Sequence, residues 1–501
     1  MIIFSDKSNF KRANFPALFD FLEGEGVEHT YDEANGDLKT AWGVYDFTTF
    51  GPTHRMVAES DQTLYRGIDI SESVKDELYS KYALHPDWAL SEKQSEEELY
   101  QFMQDRFSAE IRNCRAAACY WVDYWDSVFA SVKPVAAITF GGNLIYSKIF
   151  LAVAKQRGVP GFVAEHFFTG NDFYLEPRYT SIPNASFLRS RRFTDAINGG
   201  KSQRYSSAWR KIYSQKNKNV SQPAYASYRL RGYALILAQV PNDFSIFSSN
   251  NKWKNSIGFY KKVISEILQC SKDPVVVKVH PYERKKNKDA SVSTFDALKE
   301  YREMLDSTYR ARLHIVEDYS LPGLISGCRY AITLNSQAGL EAVGHAKPLI
   351  CFGGAFYGGR GFTMDLDDIS DIGKAIESAE FSEKTLSGYV SFLSAAFSHL
   401  IGVGEAGKIK GIFGSLELKK RREAVTADPE IRVEQNIKAP NPDASSHDIV
   451  LKKLPVSARH VGTSGSHRKT KRLWEKFKRD PRGYCLDSKH AILRFIGRKV
   501  L

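Results

Sequence analysis

Apolar residues along this chain come in short unbroken runs separated by stretches with helical spacing. Val135-Ala-Ala-Ile-Thr-Phe140 is such a run and reads as a buried strand, with Gly141-Gly142-Asn143 as the turn after it. From Leu144 to Arg157 the apolar residues Ile145, Ile149, Leu151 and Val153 recur at helical intervals, and Val159 to His166 reads as a second strand. Strand, turn, helix and strand make a βαβ unit, which implies a parallel sheet. Upstream, residues 91–131 read as helical, rich in Glu, Tyr and Trp.

Between about 180 and 228 the chain turns polar and basic, as a connection between domains would. The alternation then resumes. Strands are expected at 233–239, 275–280, 313–316, 330–334 and 348–352, with helices at 256–270 and from Ser336 to Gly344 and a charged, helix-bearing stretch before 312. Residues 371–401 read as two helices placed to cross back over the first domain. Residues 420–467 are polar and turn-rich, a flexible linker. The expected organisation is therefore an amino-terminal α/β domain over 1–228, a second over 229–419, the linker, and a tail over 468–501.

Charge bears on the tail alone. The 501 residues carry 70 Lys and Arg against 58 Asp and Glu, a net +12. Residues 468–501 hold twelve of those basic residues and three acidic ones, leaving only +3 for the rest of the chain. In the tail, Leu473, Trp474 and Phe477, then Ile492, Phe495 and Ile496, recur at three to four residues amid Lys and Arg. That is the pattern of an interfacial helix on an anionic membrane, and equally of a basic helix docked on the body or a partner. With a near-neutral body, nucleic acid is not an expected partner. Six cysteines without CxxC spacing suit a reducing compartment and give no zinc pattern. The charged start of the chain is not a secretory signal, and no apolar run reaches eighteen residues. The expected location is cytoplasmic, peripheral on the inner face of a bacterial inner membrane.

Ligands of open parallel sheets bind beyond the carboxyl ends of the strands, so residues there are the candidates for chemistry. Strand 233–239 runs into Gln239, Asn242 and Asp243, and strand 275–280 ends in Lys278 and His280. Strand 330–334 opens into Asn335-Ser336-Gln337-Ala-Gly339-Leu-Glu341, and strand 348–352 into a glycine run that includes Tyr357. In the first domain the corresponding residues are Gly142, Asn143, Glu165 and His166. The segment after 334 is an ordinary helix cap by Asn335 or Ser336, or an anion site at a helix start. Lys278 and His280, two apart on one strand, share a face and suit an anion. Asp243 is a turn or cap residue, or a carboxylate aimed into the cleft. Glu165 ends an apolar strand, where it is either paired with His166 or an arginine such as Arg178, or raised in pKa for acid–base work. The glycine run lacks the GK[ST] of a phosphate-binding loop, and Asp365-Leu-Asp367 reads as a solvated helix start rather than a metal site.

These blocks resemble a family. Asn335-Ser336-Gln-Ala-Gly339-Leu-Glu341-Ala342, with Gly344-x-x-Lys347-Pro348 and Gly353-Gly-Ala-Phe356-Tyr357, is similar to the carboxyl half of the capsule polysaccharide synthesis proteins, bacterial transferases of β-linked Kdo, an eight-carbon acidic sugar. Lys278-Val-His280-Pro281 resembles the family's K-x-H-P, and Gln239 to Ile246 its Q-V-x-x-D-x-S-I. Glu165 with Leu175-Glu176 resembles its amino-terminal E-x-G segment, although His166-Phe-Phe follows here. The resemblance implies an α/β fold of GT-B type, two Rossmann-like domains facing a cleft, with CMP-β-Kdo as donor and no metal or other cofactor. It implies retention of configuration, with Asp243 as nucleophile and Glu165 as the base or acid serving the acceptor. His280, Lys278 and Ser336 would hold the CMP phosphate and Glu341 the ribose. Gln239, Asn335, Gln337, Gly339 and Tyr357 stand on the same donor side; Gly142, Asn143 and His166 stand on the side of a glycan or glycolipid acceptor. Two other classes stay open: a GT-B transferase with a different nucleotide sugar or inverting chemistry, and a non-catalytic protein that binds glycan or scaffolds an assembly complex.

Overall fold

The computed structural model describes residues 1–39, 42–170, 172–190, 223–248 and 252–414. The expected linker 420–467 and basic tail 468–501 lie outside the described residues, as do residues 191–222 of the polar connection. The chain opens with a strand that is only three residues long, all without exposure: β1 (Ile2–Phe4). It is followed by β2 (His29–Tyr31), the small hairpin β3 (Leu64–Tyr65) and β4 (Ile68–Asp69), β5 (Ala136–Phe140), β6 (Gly161–His166) and β7 (Phe173–Pro177). The first sheet has the order β2-β1-β5-β6-β7, parallel except for β7. Its interior residues are apolar on both faces because helices cover both sides. One of them, Glu96–Val132, starts in a Ser95/Glu98 capping box and is interrupted at Phe107, where φ is −131°.

The second sheet uses β8 (Tyr233–Leu237), β9 (Val275–Lys278), β10 (Leu313–Val316), β11 (Cys328–Thr333), β12 (Leu349–Cys351) and β13 (Met364–Asp365). Its order is β10-β9-β8-β11-β12-β13, with every pairing parallel. Numbered within that sheet the order is 3-2-1-4-5-6, the doubly wound arrangement of a Rossmann domain. The topological switch point falls between β8 and β11, so the loops 238–243 and 334–337 flank the crevice there. In the first sheet the corresponding divergence lies between β1 and β5. Two such units facing a cleft make the GT-B type of fold.

The two lobes share one continuous apolar core, in which helix Ile70–Tyr82 of the first lobe packs on the turn after β8. The chain also returns after the second sheet. Helix Glu383–His399 delivers Ile401 to β7, where Phe173 and Ile401 exchange backbone hydrogen bonds of 3.1 and 2.9 Å. Helix Ala406–Phe413 then lies on helix Pro16–Gly24, with Phe413 against Phe21 and Phe162.

Candidate active site

Asp243 sits in the turn after β8. One carboxylate oxygen accepts the Ser245 N–H at 2.9 Å and so caps the short helix Phe244–Phe247. The cap uses Oδ1. Glu165, next to last in β6, faces Asp243 from the other lobe. Its Oε1 accepts the His166 N–H at 2.8 Å. Burial raises the Glu165 pKa to about 8; the His166 N–H opposes that shift, and the charge of Asp243 adds to it. Of the counter-ions weighed for Glu165, the arginine is engaged elsewhere. Arg178 pairs with Glu176 at 2.9 Å, and the His166 ring stacks on Phe15 at 4.6 Å. Among the described residues no cation forms an ion pair with Glu165.

Glu165 lines a cavity of about 950 Å³ that opens at the switch point of the first sheet. Asp6 after β1, Lys39, Gly141, Asn143 and Phe244 line it as well, so the cavity runs from the first lobe to the residue after Asp243. Gly141 has φ +65°, and a Cβ there would stand 3.4 Å from Glu165 Oε2. The positive φ is what favours glycine there, since a Cβ would make only ordinary contact with the carboxylate.

His280, two residues past the end of β9, accepts the Tyr282 N–H on Nδ1 at 3.2 Å, which leaves the proton on Nε2. Burial lowers its pKa to about 4, opposed by Asp243 and reinforced by Lys278 and Lys286. The ring is thus a neutral donor. Ser336 Oγ accepts the Ala338 N–H at 3.3 Å in the turn before helix Ala338–Gly344, and Ser336 is partly exposed. Glu341, in the first turn of that helix, is raised to about 7 by burial.

Several expected ligand residues are turned to other work. Gln239 is 3% exposed; its amide donates to Ser245 Oγ and accepts the Asn335 N–H, which ties the two switch-point loops together. Asn335 caps nothing, because its side chain bonds Ser245 and Gly353. Lys278 does not aim with His280: its ammonium donates to the carbonyl oxygens of Val279, at 2.9 Å, and Glu317. Gln337 accepts the Phe168 N–H at 3.0 Å and so joins the lobes. Tyr357 is fully buried and donates to the Ser336 carbonyl. Gly339 exists for Tyr357, since a Cβ would meet its hydroxyl at 2.5 Å. On the acceptor side Gly142 packs on Ser181, Asn143 donates to Asp76 at 2.9 Å, and His166 belongs to the aromatic layer under β6. Among the expected residues, Glu165 and His280 are the two that feel the charge of Asp243.

Sequence reasoning missed Lys286. In Glu283-Arg-Lys-Lys286 it looks like a solvated charge run, yet its ammonium donates to the Asn242 carbonyl at 3.0 Å, beside Asp243. Asp365 and Asp368, part of the acidic cluster at 365–368, hold turns: Asp365 takes the Gly359 N–H and the Thr363 hydroxyl, and Asp368 caps the next helical turn. Among the described residues no group of three or more His, Cys, Asp or Glu could hold a metal ion.

Residues 185–382 match the family model for capsule polysaccharide biosynthesis proteins. That span contains Asp243, His280, Ser336 and Glu341, whereas Glu165 and most of the cavity precede it. No curated protein matches the sequence. Among solved structures, the β-Kdo 2,4 transferase of KpsC from Thermosulfurimonas dismutans aligns at 18% identity over 56% of this chain and 88% of that one, with a TM-score of 0.37. The β-Kdo 2,7 transferase of the same protein aligns at 16% identity over 58% and 89%, with a TM-score of 0.35. An α,α-trehalose 6-phosphate synthase from Burkholderia multivorans aligns at 9% over 82% and 99%, with a TM-score of 0.37.

Proposed function

We propose, from the match of residues 185–382 to the family model for capsule polysaccharide biosynthesis proteins, that the chain is a retaining glycosyltransferase moving Kdo from CMP-β-Kdo to a hydroxyl of a surface-polysaccharide acceptor. The observation that carries the reading is the pair of carboxylates, Asp243 and Glu165, presented by opposite lobes to one cleft and close enough to act on each other's charge.

Retention can arise by two displacements. In the first, an Asp243 oxygen attacks the anomeric carbon as the bond to the phosphate oxygen breaks, and CMP leaves with the electron pair. The Nε2–H of neutral His280, whose Nδ1 accepts the Tyr282 N–H, would donate to that departing phosphate. In the second, the acceptor hydroxyl attacks the same carbon, its proton passes to Glu165, and Asp243 departs as carboxylate. Esterified Asp243 carries no charge. The Coulomb contribution of Asp243 to the raised Glu165 pKa then vanishes, which moves that pKa down from about 8 towards what burial alone sets and favours proton acceptance at this step.

The acceptor enters by the first-lobe cavity, which Gly141 and Glu165 both line. A lipid-linked glycan suits that arrangement, with the basic tail holding the enzyme on an anionic membrane face. The test is intact-protein mass spectrometry after mixing the full chain with CMP-Kdo, wild type beside Asp243→Ala. The expected result is a gain of one Kdo residue in the wild type alone. CMP release with acceptor but no adduct would leave a transferase of another mechanism. No adduct, no CMP release and no CMP-Kdo binding would remove the donor.

A further inference from the structure

Lys286 occupies a position that the rest of the site does not explain. Its short helix Glu283–Lys286 follows His280-Pro281 and is anchored by Glu283, a buried carboxyl that accepts the Thr294 N–H. That anchor turns Lys286 back toward the loop after β8, where its Nζ donates to the Asn242 carbonyl at 3.0 Å. The same carbonyl accepts the hydroxyl of Ser80 from the first lobe at 2.9 Å. Ser80 in turn accepts the Trp42 indole N–H at 3.1 Å, and the Lys286 ammonium stands 5.5 Å from the centre of a Trp42 ring. The four residues close a loop across the two lobes, beside Asp243.

An ammonium has three donors, and one is used on Asn242. Among the described residues no carboxylate lies within ion-pair distance of Lys286. Its electrostatic neighbours are Asp243, whose charge opposes the fall that burial imposes on the Lys286 pKa, and His280, on which Lys286 itself acts. A half-buried cation next to a neutral imidazole donor, with two N–H groups left, is suited to an oxyanion carried by a ligand.

We infer that Lys286, placed against Trp42 of the opposite lobe and sharing the Asn242 carbonyl with Ser80, binds with His280 the phosphate of the donor's nucleoside monophosphate. Lys286 thereby takes the place expected of Lys278, and the leaving-group site is complete only when the lobes are docked. The inference rests on the transferase reading above.

Titration calorimetry of the full chain with CMP and with cytidine separates the two. Wild type should bind CMP more tightly than cytidine. Lys286→Met should weaken CMP by about tenfold or more and leave cytidine unchanged, while Lys286→Arg keeps most of the preference. Lys286→Gln, which can still donate to Asn242, should behave as Met does and guards against a folding defect. A Lys286→Met or Lys286→Gln protein that keeps the wild-type preference for CMP overturns the inference and spares the transferase reading. Equal loss of both ligands assigns Lys286 a structural role and also overturns it. Wild type that binds no CMP overturns this inference together with the donor assignment.

Discussion

Glu165 shows what one side chain is asked to do. It ends an apolar strand, accepts one backbone N–H and faces another carboxylate, so its pKa of about 8 lies well above the 4.5 of a solvated glutamate. A raised acid favours its neutral form in the folded state. The stability this confers is full below pH 4.5 and is lost as pH rises through about 8. Glu165→Gln fixes the neutral form. The variant should therefore melt with the wild type at pH 5 and above it at pH 8.5, by on the order of 1–2 kcal/mol once partial exposure is allowed for. Calorimetric melts at the two pH values check this. The same substitution should remove the alkaline rise in kcat/KM, which in the wild type should follow an apparent pKa near 8 as the base ionises. A wild-type rate that is flat from pH 6 to 9 would count against Glu165 as base. The existence of this residue was legible in the sequence because a carboxylate at the end of Val-Pro-Gly-Phe-Val-Ala is out of place. Its freedom from Arg178 was not, since only the fold sends that arginine to Glu176.

At the scale of elements, long apolar runs were read correctly and very short ones were missed. The expected strands at 233–239, 313–316 and 348–352 correspond to β8, β10 and β12 within two residues at each end. β1, β2 and β13 were missed because two or three residues carry no period that a sequence pattern can reveal. The rule that ligands meet strand ends located the loops but not which side chains face the cleft. Alternation along β9 places Lys278 and His280 on one face, yet a long side chain can bend from the strand end to a neighbouring carbonyl, and Lys278 does so. The segment after β11 shows the same limit. Its glycine reads as room for a phosphate, whereas it admits the Tyr357 hydroxyl that supports the Ser336 carbonyl. Gly339→Ala should then destabilise the protein by about 1–3 kcal/mol, through overpacking against Tyr357 and Leu349 Cδ2, 2.8 Å from the added methyl. Adding Tyr357→Phe should restore part of that loss, because it removes the closer clash and leaves the one with Leu349. A double-mutant cycle of urea melts reads the coupling; additive effects would refute the contact.

At the scale of the whole molecule, the first lobe is finished by the last described part of the chain. Ile401 extends β7, and Ile409 and Phe413 join the core formed by helix Pro16–Gly24, β1 and β6. His399 adds a 2.8 Å contact to Glu176, itself without exposure and also bonded to Arg178 and Ser186. Ile401, Ile409 and Phe413 are each 3% exposed or less, and burying three such side chains stabilises by roughly 1.5–3 kcal/mol apiece. That sum is comparable to the whole stability of an ordinary domain, about 5–15 kcal/mol. Removing the segment also leaves Glu176 buried with one partner fewer. A chain ended after residue 398 should therefore lose the cooperative melt of the first lobe, while one ended after 414 should keep it. Residues 1–228 expressed alone should expose the apolar face of helix Pro16–Gly24 and bind a hydrophobic dye. Phe413→Ala in the full chain gives the graded version, about 3–5 kcal/mol for the lost ring and the cavity it leaves. Because Glu165 stands on β6 in this lobe and Asp243 in the other, the same cut should abolish transfer even if the second lobe still binds nucleotide. If the chain ended after 398 melts cooperatively and stays active, the returning segment is a surface appendage, and the first lobe is complete without it.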